Sequence, residues 1–258
     1  MIKSSIVEKE RLFVTSIHRF TAKVIGLHQL THDVRQIDFG LLEPPEIRFK
    51  AGQFVSFDVP DPRTGRTVTR PYSIASSPSS TKTVSLLLNL VPEGPGSTYL
   101  FSLREGVETR FAGPAGNFYL RDDPGRDLLF VATGTGIAPI RSMLLANANR
   151  VQPGRTTLFW GLRSQRDLYY VDELARLTRD LPGSSHVITL SRPEPGWEGL
   201  TGRVTTLIER QIHDVKRLAV YLCGNSGMIT EVTRIIQAKG LCPIFREKYY
   251  DDASTADG

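Results

Sequence analysis

The segment LLFVATGTGIAPIRSMLLANA, residues 128–148, contains a short apolar run, a Gly-Thr-Gly turn and then an apolar helical run. This order is typical of a strand that turns into a helix at a nucleotide site. Gly134 and Gly136 would let backbone N–H groups approach a ligand, and the helix start would favour a phosphate. Pro139 replaces the third glycine of the dinucleotide fingerprint, and a first helical turn tolerates proline. The segment predicts a nucleotide-binding βα unit, with a plain tight turn as the alternative.

Downstream of this turn, strand patterns alternate with helix patterns. TTLFWGLR, SHVITLS and LAVYLCG are short apolar runs, whereas VTTLIERQI and GMITEVTRIIQAKG have helical character. In DLYYVDELARLTRDL the apolar residues recur at helical spacing, at Leu168, Val171, Leu174 and Leu177. Such alternation predicts a parallel α/β sheet. We expect this domain at residues 123–250, after a turn-rich linker at 121–127.

Upstream of the turn the pattern is that of β structure. FTAKVIGLHQLTHDVRQIDFGL, AGQFVSFDVP and TVSLLLNLVP are short strand-like runs bounded by glycine and proline, and GRTVTRPYSIASSPSS mixes strand and turn signals. Several short strands at this spacing predict an antiparallel barrel or sandwich. We expect this first domain at residues 10–122.

Composition and charge exclude several classes of protein. The 258 residues include 40% hydrophobic ones, which suits a globular chain of two medium domains. The charged N-terminus has no signal-peptide pattern, and no apolar run approaches the roughly 18 residues of a membrane span, so we expect a soluble cytoplasmic protein without a membrane partner. The net charge of +5 is dispersed, which argues against nucleic acid and is compatible with an acidic protein partner. The acidic end DDASTADG, residues 251–258, is expected to be disordered.

Possible metal ligands are few. Two cysteines, Cys223 and Cys242, are fewer than the four thiolates that an iron–sulfur cluster usually takes. His28 and His32 are four residues apart, but in a β segment with no nearby third ligand. We therefore expect no metal site in this chain.

Arginines follow the second and third strands of the α/β half. Arg163 comes directly after one strand, and Ser191, Arg192 and Arg203 follow the next. At the carboxyl end of the second strand, NAD-binding units carry an acid, whereas an arginine can accommodate a 2′-phosphate. These residues predict a phosphate clamp that favours NADP(H), with NAD(H) as the alternative.

Five segments in order resemble the ferredoxin–NADP+ reductase family, and together they extend over nearly the whole chain. They are RPYSIASS (70–77), PEGPGSTYL (92–100), AGPAGNFYL (112–120), VATGTGIAPIRSM (131–143) and YLCGNSGMI (221–229). The resemblance implies an antiparallel β-barrel that binds FAD, followed by a parallel α/β domain that binds the pyridine nucleotide.

The resemblance also implies a flavin site in the first domain. Arg70 would pair with the FAD pyrophosphate, Tyr72 would pack on the isoalloxazine or ribityl region, and Ser73 would hydrogen-bond flavin N5. A Gly-Ser turn would open a helix beneath the pyrophosphate, which the backbone and hydroxyl groups of Gly96, Ser97 and Thr98 would cap. Further cofactor contacts are expected at Pro71, Leu88 and Asn89.

In the second domain the resemblance implies the nucleotide site. Gly134, Thr135 and Gly136 would cradle the nucleotide, and Arg163, Ser191, Arg192 and Arg203 match 2′-phosphate positions of NADP-using relatives. Cys223 would lie near the nicotinamide C4, with Gly224, Asn225 and Met228 around it. Tyr249 or Tyr250 would cover the flavin ring, and Glu247 would relay protons. The implied catalytic residues are Ser73, Cys223 and Glu247.

The implied function is an FAD-dependent reductase of the ferredoxin–NAD(P)+ type. It would move electrons between NADPH and a one-electron carrier, by hydride transfer to flavin N5 followed by single-electron steps. Because the chain lacks cluster cysteines, that carrier would be a separate protein, an acidic ferredoxin or other iron–sulfur protein, with an oxygenase or cytochrome P450 system downstream.

Three alternatives stay open. LSRPEPGWEGLTGRV also resembles the reductase components of oxygenase systems, many of which use NADH. A reductase of free flavin or quinone, or an electron-transfer subunit of a larger complex, would fit the same motifs.

Overall fold

A computed structural model describes residues 17–123, 125–150 and 155–249. Tyr250 and the expected tail at 251–258 lie outside these residues. The described chain forms two six-stranded sheets, one antiparallel and one parallel, in the order in which the sequence predicted them.

The first sheet is antiparallel and curls into a barrel. Its strands are β1 (His18–Gln29), β2 (Val34–Glu43), β3 (Phe54–Pro60), β4 (Thr67–Ser73), β5 (Thr83–Asn89) and β6 (Glu108–Ala115), and helix α1 (Pro95–Ser102) lies between β5 and β6. The strand order is β4-β3-β6-β1-β2-β5, and a bridge between Ile74 and Leu86 connects the two edge strands. This closure confirms the predicted barrel.

Alternation along each strand fills the barrel. In β3, Val55, Phe57 and Val59 are fully buried, whereas the residues between them are more exposed. The Phe57 ring packs against Phe39 and Phe111 at centroid distances of 5.9 and 5.4 Å. This aromatic centre holds the strands that carry the RPYS segment.

The second sheet is parallel throughout. Its strands are β7 (Asp127–Thr133), β8 (Thr156–Leu162), β9 (Ser185–Leu190), β10 (Leu200–Thr201), β11 (Leu218–Gly224) and β12 (Ile244–Lys248), in the order β10-β9-β8-β7-β11-β12. The helices are α2 (Ile137–Ala148), α3 (Val171–Asp180), α4 (Val204–Gln211) and α5 (Ser226–Lys239), with 3₁₀ turns at Gly134–Gly136 and Gln165–Asp167. The two sheet faces are covered by α2 with α3 and by α4 with α5, as a buried parallel sheet requires.

The barrel and the α/β domain share an apolar core. The cluster that buries α2 and one face of the parallel sheet also contains barrel residues, namely Val34, Ala51, Ala75, Leu87 and Phe118. At Gly52 an added Cβ would lie 2.4 Å from the Met143 methyl of α2, so the two domains are in tight contact there. The two domains are therefore joined by apolar packing.

Helix α3 begins later than the sequence pattern predicted. Leu168 precedes the helix, and Val171 is 39% exposed rather than buried. The reason is Tyr170, the residue just before the helix. Its φ of 54° lies in the left-handed region, so the helix begins only after it. The hydroxyls of Tyr169 and Tyr170 donate to Gly134 and Gln36, and these distant partners hold the chain out of the helix.

Strand β12 was not predicted, because IFREK has only five residues and the last three are all charged. It pairs with β11 in a parallel register that sets Glu247 beside Cys223. Among the described residues, no helix is long and apolar enough to cross a membrane.

Candidate functional site

A cleft of about 710 Å³ opens at the carboxyl edge of the parallel sheet. The Gly-Thr-Gly turn, the ends of β8 and β11 and the starts of α4 and α5 form most of its wall. Asp33, Asn89 and Val91 of the barrel complete it. This is the position in which open parallel sheets bind ligands.

Both glycines of the turn are required by its geometry. Gly134 has a φ of +51° and nothing within 4 Å of where a Cβ would stand, so the backbone is bare there. At Gly136 a Cβ would lie 2.4 Å from the Cys223 carbonyl oxygen, which only glycine allows. The turn therefore packs directly on the end of β11 while its other side stays free for a ligand.

The cleft brings most of the predicted nucleotide residues together. Those that line it are Gly134, Thr135, Arg163, Ser191, Arg203, Gly224, Asn225 and Met228. Asn89 and Tyr249, which were predicted as flavin contacts, line it too. Arg192 is exposed and outside this wall, although its N–H donates to the Arg163 carbonyl at 2.7 Å. Cys223 is fully buried behind the wall.

Acidic side chains in the cleft were missed by the sequence analysis. Asp33, Asp167 and Glu231 line it together with the two arginines. Ligand atoms of His32, Asp33 and Asp167 lie within 4.8 Å of one another. The Asp33 carboxylate already accepts a hydrogen bond from Thr31, and the Asp167 carboxylate accepts one from Ser164, so both have structural partners. No pattern in the sequence connects residue 33 with residue 167.

The predicted flavin segment fits an anionic cofactor group. Helix α1 begins at Pro95 without a capping side chain, so its first N–H groups are available to an anion. A Cβ at Gly96 would lie 2.3 Å from the Tyr72 hydroxyl and 2.9 Å from Arg70, so β4 and the helix start are in close contact. The helix start and the Arg70 side chain beside it form a cradle that suits a pyrophosphate.

Two of the expected flavin contacts change in the structure. The Ser97 hydroxyl is buried and bonded to Val91 and to the Gly94 carbonyl, so it closes the turn and leaves only the backbone to cap an anion. Leu88 points into the barrel core, so its side chain is not available to a ligand. Pro71 and Thr98 are exposed.

The three predicted catalytic residues lie in one cluster. Ser73 Oγ donates to Glu247 Oε2 at 3.1 Å, and the Tyr249 hydroxyl donates to Ser73 Oγ at 3.2 Å. Burial raises the pKa of Glu247 to about 7, although the hydrogen bond from Ser73 lowers it. Burial also raises the pKa of the Cys223 thiol well above its usual range, so this thiol stays neutral. The cluster can therefore hold an exchangeable proton on a carboxyl group near neutral pH.

Other functional candidates carry no sequence motif. The Gly134 carbonyl accepts hydrogen bonds from Trp160 and Tyr169, and Arg141 of α2 donates to the Ala75 carbonyl just after RPYS. Tyr169 and Trp160 look like ordinary apolar residues of a helix and a strand in the sequence. Only the tertiary contacts distinguish them.

Comparison with known proteins gives a consistent assignment for both halves. Residues 21–119 match the family model for an oxidoreductase FAD-binding domain, and residues 130–234 match the model for an oxidoreductase NAD-binding domain. The chain is 34% identical over 228 residues to ferredoxin–NADP reductase B of Sorangium cellulosum, covering 85% of this chain and 92% of that protein.

Further relatives come from oxygenase and P450 systems. The chain is 31% identical over 232 residues to the reductase component of a Pseudomonas putida naphthalene 1,2-dioxygenase system, covering 89% of this chain and 67% of that one. Among solved structures, an Amycolatopsis cytochrome P450 reductase superposes with a TM-score of 0.81 at 26% identity, covering 91% of this chain and 71% of that one.

Proposed function

Because this chain belongs to the ferredoxin–NADP+ reductase family of FAD- and NAD-binding oxidoreductases, we propose that it passes electrons from NADPH to a separate ferredoxin. One observation carries the proposal: Ser73 of the predicted flavin segment meets Glu247 beside the nucleotide cleft. A site at which both cofactors converge is what transfer between them needs.

In this proposal each residue of the site has a distinct role. FAD, held by the RPYS strand and the start of α1, would supply the chemistry that converts a two-electron hydride donor into single-electron steps. Ser73 would offer its hydroxyl to flavin N5, and Glu247 would hold a proton that can follow the electrons. Tyr249 lines the cleft beside them and excludes water with its ring. Cys223, neutral and buried behind the wall, shapes the nicotinamide end of the cleft.

The preference for NADPH rests on arginines at the cleft edge. Arg163 and Arg203 line the cleft with Ser191, and exposed Arg192 is next to them in sequence. We propose that this group binds the 2′-phosphate. Arg203→Ala and Arg192→Ala should then weaken NADPH binding about tenfold or more while NADH binding changes little, as loss of a charge-assisted contact implies.

Stopped-flow flavin reduction over a concentration series of each nucleotide measures this preference. Arg210→Ala, an exposed arginine in the last turn of α4, is the matched control. An unchanged ratio of NADPH to NADH affinity in both the Arg203 and the Arg192 variant would remove the phosphate clamp from the proposal.

An NADH-dependent reductase component of an oxygenase system is the second candidate. The acids Asp33, Asp167 and Glu231 in the cleft favour it, because a carboxylate can accept hydrogen bonds from ribose hydroxyls and repels a 2′-phosphate. The same kinetic series decides, since a wild type that prefers NADH would support this candidate.

The electron acceptor is tested with the purified yellow protein. Reduction of a ferredoxin by NADPH should become slower as salt increases, because an acidic carrier would meet a chain of net charge +5. Free flavin and quinone are the comparison acceptors. Purified protein without flavin absorbance, or faster turnover with free flavin than with every ferredoxin tried, would contradict the proposal.

A further inference from the structure

Two aromatic side chains donate to one carbonyl of the nucleotide turn. Trp160 Nε1 lies 3.0 Å from the Gly134 oxygen, and the Tyr169 hydroxyl lies 3.1 Å from it. The N–H of Ile137, the residue that follows the turn, also bonds to this oxygen. A single peptide oxygen is thus held from several directions.

This pair is rigid and buried. Trp160 is fully buried and Tyr169 is 6% exposed. Their rings meet edge to face, with centroids 4.8 Å apart and planes at 82°. Burial raises the pKa of Tyr169 well above its usual range, so its hydroxyl keeps the proton that it donates. Buried donors with fixed rings hold an acceptor in one orientation.

The orientation of the carbonyl decides the orientation of an N–H group. Among the described residues, the only cis peptide bonds are Glu43–Pro44 and Gly113–Pro114, so the peptide between Gly134 and Thr135 is trans. In a trans peptide the C=O and the next N–H point in opposite directions. With its oxygen held against the aromatic pair, this peptide presents the Thr135 N–H on the opposite side.

The cleft borders this peptide, because Gly134 and Thr135 both line it and the space beside the Gly134 Cα is empty. Tyr169 also lines the cleft, beside the turn that it holds. The first N–H groups of a helical turn have no acceptor within it, so the N–H of Thr135, the second residue of the turn, needs an outside acceptor.

We propose that Trp160 and Tyr169 are positioning residues for the dinucleotide: they fix the Gly134–Thr135 peptide so that its N–H donates to a phosphate of the bound nucleotide. This inference rests on the proposed nucleotide site. It assigns Trp160 and Tyr169 a role that acts through the Gly134 carbonyl.

Variants that remove only the donor test the proposal. Trp160→Phe removes the indole N–H, and Tyr169→Phe removes one hydroxyl, with the aromatic rings kept. Trp197→Phe is the matched tryptophan control, because its Nε1 donates to the Leu200 carbonyl at the same 3.0 Å. Tyr221→Phe is the matched buried tyrosine, whose hydroxyl accepts from the Arg121 N–H of the linker instead.

Affinity is measured on the holoenzyme by titrating NADP+ and NAD+ and following the perturbation of flavin absorbance. Each single variant should raise the dissociation constants of both nucleotides about threefold, the effect of one net hydrogen bond. The double variant should raise them more than the product of the singles, about 30-fold, because either donor alone still holds the carbonyl. The two controls should leave them unchanged.

A phosphate-free hydride donor separates positioning from general damage. N-benzyl-1,4-dihydronicotinamide should reduce the flavin of the wild type and of both variants at equal rates, with equal flavin content and melting temperature. The proposal would be overturned if the dissociation constants rose no more than in the controls. It would also be overturned if the rate of flavin reduction by the phosphate-free donor fell by the same factor as nucleotide affinity. A wild type that binds neither nucleotide would instead refute the proposed function.

Discussion

Glu247 is a carboxyl group whose behaviour depends on its surroundings. It is the next-to-last residue of β12 in the α/β domain, accepts a hydrogen bond from Ser73 of the barrel, and is removed from water by the packing between the two domains. Its pKa rises from 4.5 to about 7 because burial disfavours the charged form. The folded protein therefore binds a proton here that the unfolded chain releases between these two values.

This raised pKa predicts a pH-dependent stability. The stability that protonated Glu247 contributes to the folded state is fully present below pH 4.5. It is lost as the pH rises through about 7. Glu247→Gln should remove that decline, so the variant should gain melting temperature relative to the wild type between pH 5 and pH 8. Thermal unfolding at a series of pH values measures it, with exposed Glu198→Gln as the control. Parallel curves for the wild type and Glu247→Gln would show that the carboxyl does not titrate in this range.

The close packing around Gly96 predicts that a larger residue at this position causes a loss of bound flavin. A methyl group there would meet the Tyr72 hydroxyl at 2.3 Å and the Arg70 side chain at 2.9 Å, so β4 and α1 must separate. Gly96→Ala should therefore be purified with less than about half of the wild-type flavin, because overpacking of this kind costs about 1–3 kcal/mol. Gly227→Ala in α5, where the nearest atom would be 3.4 Å away, should keep its flavin. Equal flavin absorbance per protein in both variants would contradict the cradle geometry.

Helix α2 is the element that connects the two domains. Arg141 donates to the Ala75 carbonyl at 2.7 Å and forms two-pronged hydrogen bonds to Glu173 of α3. Ser142 donates to the Ser76 carbonyl, and Thr135, just before the helix, donates to Asn89. The helix that follows the nucleotide turn is thus bonded to the segment that follows RPYS.

Arg141→Gln should weaken this connection. Removing one partner of a buried pair costs about 3–5 kcal/mol, and this pair is only 14% and 21% exposed. We expect the melting temperature to fall and flavin reduction at saturating NADPH to slow, while the nucleotide dissociation constant changes little. Arg126→Gln is the matched control, because Arg126 also pairs with an acid and donates to two carbonyls, but within the α/β domain and its linker. Equal slowing by the control would refute a role of α2 in aligning the domains.

At the level of elements, periodicity predicted most of the strands and helices. Runs such as LAVYLCG and GMITEVTRIIQAKG formed β11 and α5, with α5 ending before Gly240 as expected. The pattern was wrong at the start of α3 and missed β12. In both places distant partners decide the structure: Tyr169 and Tyr170 are held by the turn and the barrel, and β12 is held by pairing with β11.

We expect the whole molecule to unfold in one step. Five barrel side chains belong to the same apolar cluster as the α/β core, so separating the domains would expose both surfaces. Flavin fluorescence and far-ultraviolet circular dichroism should therefore give coincident thermal transitions. A flavin transition that comes many degrees before the loss of secondary structure would indicate independent domains.

The sequence by itself determined the class of the fold and the position of the motifs. Alternation, helical spacing and the glycines of the turn are local properties, and each of them depends on a few neighbouring residues. The tertiary structure decided which groups meet: Ser73 and Glu247 are 174 positions apart, and Gly134 finds its donors 26 and 35 positions away. The raised pKa of Glu247 and the fixed carbonyl of Gly134 follow from burial and contact between distant segments, which local sequence patterns do not encode.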